Sequence, residues 1–210
     1  LDLGFGAGNL TNHLLNMGCS VIAADVSTGF LNLISKKFEG KKVKTFELNG
    51  KNLDGIDDNS VDFIATYSVL HHIPDYLATI QEMIRVCAPG GVIYIDHEQN
   101  NEYWLHKSEY LEFRKKAQKI DLKKFFVLSN YIGKVKRIFN PKYANEGDIH
   151  VWDDDHIEWD IIDKIMSEKG LKKVLQNDFL LYNKNYKENI YNEYKDMCTD
   201  MRVTAYQKNL

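Results

Sequence analysis

The spacing of apolar residues changes period repeatedly along the first hundred positions of the chain. Residues 1–3 run apolar into a glycine-rich turn, after which Leu10, Leu14 and Met17 recur at helical spacing and Gly18 supplies a C-terminal cap. Val21, Ile22, Ala23 and Ala24 form a short apolar run that closes on Asp25, the pattern of a strand buried on both faces. Phe30, Leu31, Leu33, Ile34 and Phe38 mark a second helix, stopped at Gly40. Strands are predicted over residues 43–48 and 61–67, with a polar loop between them. Leu77, Ile80, Met83, Ile84 and Cys87 predict a helix over residues 75–88, and Pro89-Gly90-Gly91 is read as a break before a fifth strand at 92–96. Strands that alternate with helices of this length imply right-handed crossovers. The expected fold class is therefore α/β, a doubly wound and mostly parallel sheet with helices on both faces.

Beyond residue 98 the rhythm changes. Residues 104–139 carry apolar positions at three-to-four spacing and predict two or more helices, with ten basic residues against three acidic ones. The sign then reverses through Glu146, Asp148, Asp153, Asp154 and Asp155. A helix is predicted over residues 157–169, ended by Gly170, followed by strands at 171–182 and 201–207. Residues 182–194 predict either a hairpin extension or a surface helix.

Composition narrows the class of protein. With 210 residues, 44% of them hydrophobic and 27% charged, the chain has the make-up of one globular domain. No apolar run approaches the ~20 residues needed to span a bilayer. A formal charge of -3 argues against a surface built to grip nucleic acid. Cys19, Cys87 and Cys198 lie far apart, in no metal-binding spacing, which suits a reducing cytoplasm. The chain opens on Leu1 inside a strand, so a preceding segment is expected.

The sharpest chemical signal is Leu1-Asp2-Leu3-Gly4-Phe5-Gly6-Ala7-Gly8, a strand running through a glycine loop into a helix, with Asp25 at the end of the next strand. Glycines let a backbone approach a nucleoside closely, and an acidic side chain at that strand end can accept from both ribose hydroxyls. The dinucleotide fingerprint needs a glycine at the sixth position of the motif, which here is Asn9, and no GxxxxGK[ST] loop is present.

The loop resembles the first motif of the class I S-adenosylmethionine-dependent methyltransferases, and further matches follow in order. These are Asp25-Val26-Ser27, Asp58-Asn59-Ser60-Val61-Asp62, Val69-Leu70-His71-His72-Ile73-Pro74-Asp75 and Arg85-Val86-Cys87-Ala88-Pro89-Gly90-Gly91. The similarity covers residues 1–98 and is strongest to the branch acting on small molecules. It implies S-adenosylmethionine as cofactor, S-adenosylhomocysteine as product, and a seven-stranded sheet whose last strand is antiparallel. It also implies a single domain over residues 1–210, with residues 99–150 inserted after strand five as a helical cover for the substrate.

Carried onto this chain, the resemblance puts Gly4, Gly6 and Gly8 beneath the methionine and ribose portions, Asp25 on the ribose diol and Val26 against adenine. Asn49 stands where the family has an acidic residue near the adenine amino group. Asp2, Gly50, Tyr67 and His72 complete the expected cofactor contacts.

Methyl transfer requires an acceptor atom in line with the methyl group, and a hydroxyl acceptor benefits from a base. His72 and His97 are the candidates for that base or for orienting the acceptor, with lining the pocket or capping the next helix as the other reading of His72. The acidic stretch around His150 and His156 matches no metal-site spacing, and no metal is expected. The basic residues between 104 and 139 leave three readings open: a solvated lid, a surface for an anionic or lipid-linked acceptor at a membrane, or an RNA-binding patch. Methyl transfer to an oxygen or nitrogen of a small, sugar-like or lipid-like molecule is the primary expectation. An RNA methyltransferase and a non-catalytic cofactor-binding subunit are the alternatives.

Overall fold

A computed structural model of the protein describes residues 1–105, 107–119 and 156–210. Most of the basic stretch and the acidic stretch up to residue 155, including His150, lie outside the described residues. The elements in chain order are β1 (Asp2–Leu3), α1 (Asn9–Asn16), β2 (Val21–Asp25), α2 (Thr28–Lys37), β3 (Val43–Glu47), β4 (Val61–Tyr67), a short 3-10 turn (Leu70–His72), α3 (Tyr76–Val86) and β5 (Cys87–Gln99). They continue with α4 (Asn101–Leu105), α5 (Ser108–Ala117), α6 (Trp159–Glu168), β6 (Leu171–Phe179), α7 (Glu188–Tyr194) and β7 (Met201–Lys208).

All seven strands join one sheet in the order β3-β2-β1-β4-β5-β7-β6. The pairs from β3 to β5 are parallel, and β7 runs antiparallel to both of its neighbours, β5 and β6. This is the doubly wound sheet that the periodicity predicts, with the reversed last strand that the resemblance implies. Period-two alternation explains how both faces become covered. In β2, Ala23 packs with Leu31, Ile34 and Phe38 of the α2 side, whereas Ala24 belongs to the larger cluster with Ile80 and Met83 of α3 and Ile162 and Met166 of α6. Small side chains at these strand positions let the helices lie close to the sheet.

The helix end and strand start around Pro89 differ from the expectation. Helix α3 stops at Val86, and β5 begins at once with Cys87 rather than at residue 92. Cys87 pairs with Val61 and Val92 pairs with Phe63, so Pro89 sits in an irregularity of the strand instead of breaking it. Gly91 is obligatory there, because a Cβ would stand 2.8 Å from the Ala88 carbonyl oxygen and 3.0 Å from that of Asp62. Lys208 of β7 then donates to the carbonyls of Ile84 and Cys87 at 2.9 and 2.8 Å, satisfying acceptors that the end of α3 leaves open. Strand β6 ends at Phe179, three residues before the expected boundary, and residues 188–194 form a helix.

A separate apolar cluster forms where α5 meets α7. Tyr110, Phe113 and Ala117 pack with Leu180, Tyr194 and Cys198. The three cysteines are free, Cys19 exposed and the other two buried. Beside this cluster Asp200 is buried, its carboxyl accepting from the Leu181 N–H at 2.7 Å and facing the Tyr110 hydroxyl at 3.5 Å. Burial pushes its pKa up from 3.8 to about 6, with those hydrogen bonds and Arg114 opposing.

The folded chain therefore holds a proton that the unfolded chain has already released between pH 3.8 and about 6, and Asp200's contribution to stability falls as pH rises through that window. At ~1.4 kcal/mol per pH unit the penalty at pH 7 is at most about 3 kcal/mol. Asp200→Asn, which keeps an acceptor for Leu181, is expected to be more stable than the parent by about 1–3 kcal/mol at pH 7 and indistinguishable from it near pH 4. Urea unfolding at pH 4, 5.5 and 7 measures the difference; equal pH dependence in the two proteins would refute it.

Candidate active site

The carboxyl ends of the parallel strands carry the glycine loop, Asp25, the turn after β4 and the end of β5. The loop's three glycines are required for different physical reasons. At Gly4 a Cβ would meet the two methyl groups of Val69 at 2.6 and 2.7 Å, and at Gly8 it would meet Ile34 Cδ1 at 2.3 Å. Those two positions are closed by the protein's own packing. Gly6 has a φ of +50°, yet nothing lies within 4 Å of where its Cβ would be. The space over Gly6 is a cradle that a side chain would fill.

Asp25 closes the same cradle from the end of β2. Its two oxygens accept from the N–H groups of Gly6 at 3.2 Å and Ser27 at 2.9 Å, and the residue is buried. A carboxylate has about four acceptor sites, so each oxygen retains capacity for a ribose hydroxyl. Asp2, by contrast, lies beneath the loop. Its carboxylate accepts from the Thr11 hydroxyl at 2.5 Å, tying β1 to α1, and burial pushes its pKa up while the Thr11 hydrogen bonds oppose.

Next to Asp25, Val26 is 60% exposed. With Leu3, Leu48, Gly50, Leu53 and Ile73 it lines a mostly apolar hollow, at whose rim stand Lys51, Asn52, Thr79 and Glu82. The loop that builds this hollow is held from α3. Arg85 pairs with Glu82 through two 2.8 Å hydrogen bonds, reaches Asp58 at 2.5 Å, and donates to the carbonyls of Ile56 and Leu53 at 3.0 and 3.1 Å. Glu82 in turn accepts from the Leu53 N–H at 2.9 Å. The Arg85 hydrogen bonds hold the Glu82 carboxyl below its ordinary range. Asn49 is used internally: its amide oxygen accepts from the N–H groups of Lys51 and Asn52 at 2.8 and 2.9 Å, so it shapes the turn beside Gly50.

The end of β5 contains the second irregularity of that strand. Ile95 pairs with Thr204 and Glu98 with Arg202, three steps on β5 against two on β7, and His97 takes a left-handed φ of +57°. Without the bulge, Ile95 and Glu98 would face opposite sides of the sheet. With it, Glu98 turns inward and becomes fully buried, while His97 stays partly exposed at the strand end.

His97 stacks on Tyr67 with ring centroids 4.1 Å apart and meets the edge of Phe179 at 5.6 Å. Its Nδ1 lies 3.0 Å from Asp96, which also accepts from the His97 N–H and the Tyr94 hydroxyl, both at 2.7 Å. Burial raises the Asp96 pKa, but the hydrogen bonds from His97 and Tyr94 outweigh it and leave the carboxyl below its usual range.

Of the residues singled out in the sequence, Gly6 and Asp25 form the cradle, Val26 and Gly50 line the hollow, and Tyr67 and His97 form a further group at the ends of β4 and β5. His72 lies beside His71, with ring centroids 4.0 Å apart. Sequence reasoning passed over Thr11, Asp96 and Phe179. For Asp96, a carboxylate at the end of an apolar strand was the available signal.

Residues 1–95 match the methyltransferase domain family. The strand order, with its single reversed strand, extends the likeness to the whole described sheet. The matched part of the chain is similar to methyltransferase domains, and the described sheet shares its fold with solved S-adenosylmethionine-dependent methyltransferases. A ubiquinone biosynthesis O-methyltransferase of Cupriavidus pinatubonensis is 26% identical over 103 residues, 48% of this chain and 41% of that protein. A demethylmenaquinone methyltransferase of Shouchella clausii is 33% identical over 98 residues, 44% of this chain and 42% of that one. A solved S-adenosylmethionine-dependent methyltransferase of Methanosarcina mazei shares the fold with a TM-score of 0.61 at 19% identity, covering 100% of this chain and 91% of that chain. The chain spans less than half the length of the two curated relatives.

The methyltransferase match implies S-adenosylmethionine as cofactor, and the open cradle at Gly6 and the spare acceptor capacity of Asp25 fit its ribose. Two glycine variants separate packing from binding. Gly6→Ala is expected to fold with a loss of about 1 kcal/mol from the left-handed backbone and to lose S-adenosylhomocysteine binding. Gly4→Ala, pressed against Val69, is expected to lose a further ~1–3 kcal/mol by overpacking. Denaturant unfolding and titration calorimetry on both proteins test this; a Gly6→Ala protein that binds like the parent would show that the cradle holds no ligand.

Proposed function

We propose that the protein transfers the methyl group of S-adenosylmethionine to an oxygen or nitrogen of a small molecule, and that it does so in the cytoplasm. The observation that carries the proposal is the cradle formed by Gly6 and Asp25, at the carboxyl ends of the same parallel strands as Tyr67 and His97. The curated relatives, named for ubiquinone and menaquinone biosynthesis, support a small acceptor. Among the described residues no helix is long and apolar enough to cross a membrane.

When bound, the cofactor supplies an electrophilic methyl group. Asp25 holds the ribose, the hollow beside Val26 takes the adenine, and Gly4 and Gly8 keep the loop closed against Val69 and Ile34. Positioning of this kind can account for much of the rate of a methyl transfer. For a hydroxyl acceptor, His97 is the proposed base. With Nδ1 directed at Asp96, its Nε2 takes the acceptor proton as the new bond forms, and Asp96 stabilises the imidazolium. His72 is proposed to orient the acceptor. The part of the chain between β5 and α6, of which α4 and α5 are described, is proposed to cover it.

Ligand-dependent melting tests the cofactor. S-adenosylhomocysteine at about 100 times its dissociation constant is expected to stabilise the parent by ~2.7 kcal/mol, an increase of several degrees in Tm. Asp25→Ala should lose most of that increase, and NAD should give none. A shift with NAD alone, or with neither compound, would remove the proposal. His97→Asn is expected to bind S-adenosylhomocysteine like the parent while methylating a catechol probe 10²- to 10⁴-fold more slowly; unchanged turnover would remove His97 as base.

A further inference from the structure

Glu98 is fully buried, and neither the cofactor cradle nor the proposed base makes use of it. One of its oxygens accepts from two consecutive backbone groups, the N–H of Val69 and the N–H of Leu70, both at 2.8 Å. The other lies 2.7 Å from His71 Nδ1. Three donors from the turn after β4 thus converge on a single carboxyl from β5. An unpaired carboxylate at this depth would be strongly unfavourable, so the three contacts are mutually required. The turn they hold carries Val69, whose methyl groups lie against Gly4 where a Cβ would be only 2.6 Å away. Glu98 therefore reaches the cofactor loop through one intermediary, and it does so from the strand end that also presents His97.

We propose that Glu98 is a positioning residue for the cofactor: by fixing the Val69-Leu70 peptides and the His71 ring, it clamps Val69 over Gly4 and sets the shape of the glycine cradle. The bulge at Asp96 and His97 turns Glu98 inward, so the same irregularity that exposes the proposed base also delivers the clamp. The inference rests on the methyltransferase reading, because its readout is S-adenosylhomocysteine affinity. The chemistry also distinguishes Glu from Gln. A glutamine at 98 still offers an oxygen to both peptide N–H groups, but toward His71 it presents an N–H donor, so Nδ1 must become the acceptor and the ring proton must move to Nε2.

The experiment measures S-adenosylhomocysteine affinity by calorimetry at 10 °C, where each variant is first shown to be folded by its melting curve. Glu98→Ala is expected to bind at least tenfold more weakly than the parent, whereas Glu98→Gln is expected to bind within about threefold. In Glu98→Gln the nitrogen NMR signals of the imidazole that disappears in His71→Asn should switch from the Nδ1–H to the Nε2–H tautomer, a change that a purely space-filling role would not produce. Val69→Ala, which leaves Glu98 and its partners in place, should weaken binding several-fold. This variant decides the matter if Glu98→Ala does not fold.

Parent-like affinity in a folded Glu98→Ala, or in Val69→Ala when Glu98→Ala is unfolded, overturns the clamp, as does an unchanged His71 tautomer in Glu98→Gln. Absence of binding by the parent protein is a separate outcome. It overturns the methyltransferase reading on which the clamp rests.

Discussion

One buried carboxyl sets the relation between the two halves of the site. The Val69 and Leu70 peptides just beyond β4 direct their N–H groups inward, and His71 turns Nδ1 to the same point. Glu98 meets all three from the neighbouring strand. Parallel pairing of β4 with β5 brings the two segments side by side but does not specify how they terminate. The hydrogen bonds to Glu98 supply that termination, and Val69 carries it across to β1.

The bulge on β5 is the backbone condition for this arrangement. A strand in strict alternation exposes one side chain and buries the next, so Ile95 and Glu98 are out of phase until one residue is accommodated outside the ladder. His97 is that residue, and its left-handed φ carries the strain that non-glycine residues incur there. The Asp96 carboxylate, bonded to the His97 N–H and ring, and the Tyr67 ring stacked above it offset that strain.

Much of the frame was legible in the sequence because it is written in local signals. Periodicity located the strands and helices from β1 to α3, and the glycine loop with Asp25 marked the cradle. The bulge was not legible, since it depends on pairing with Thr204 and Arg202, roughly a hundred positions later, and no local pattern records a register shift. The strand start at Cys87 was hidden for a related reason. Pro89 reads as a breaker unless a partner strand is known to tolerate the irregularity, and Val61 and Phe63 provide that tolerance. The hydrogen bonds from the Lys51 and Asn52 N–H groups to the Asn49 amide oxygen were not legible either, because they follow from the local turn geometry and side-chain identity alone does not reveal them.

The reversed strand has a consequence for how the sheet assembles. Among the described residues, strand β6 occupies the edge and has β7 as its only neighbour, while β7 fills the gap between β5 and β6 and follows both in sequence. No register exists for β6 until β7 is in place, so that half of the sheet closes through long-range contacts alone. Such contacts form late, because a long loop must be closed before any pairing rewards it. The parallel half can assemble in chain order, strand by strand. The far half waits on one insertion, and Lys208, reaching the end of α3, locks it to the earlier part of the chain.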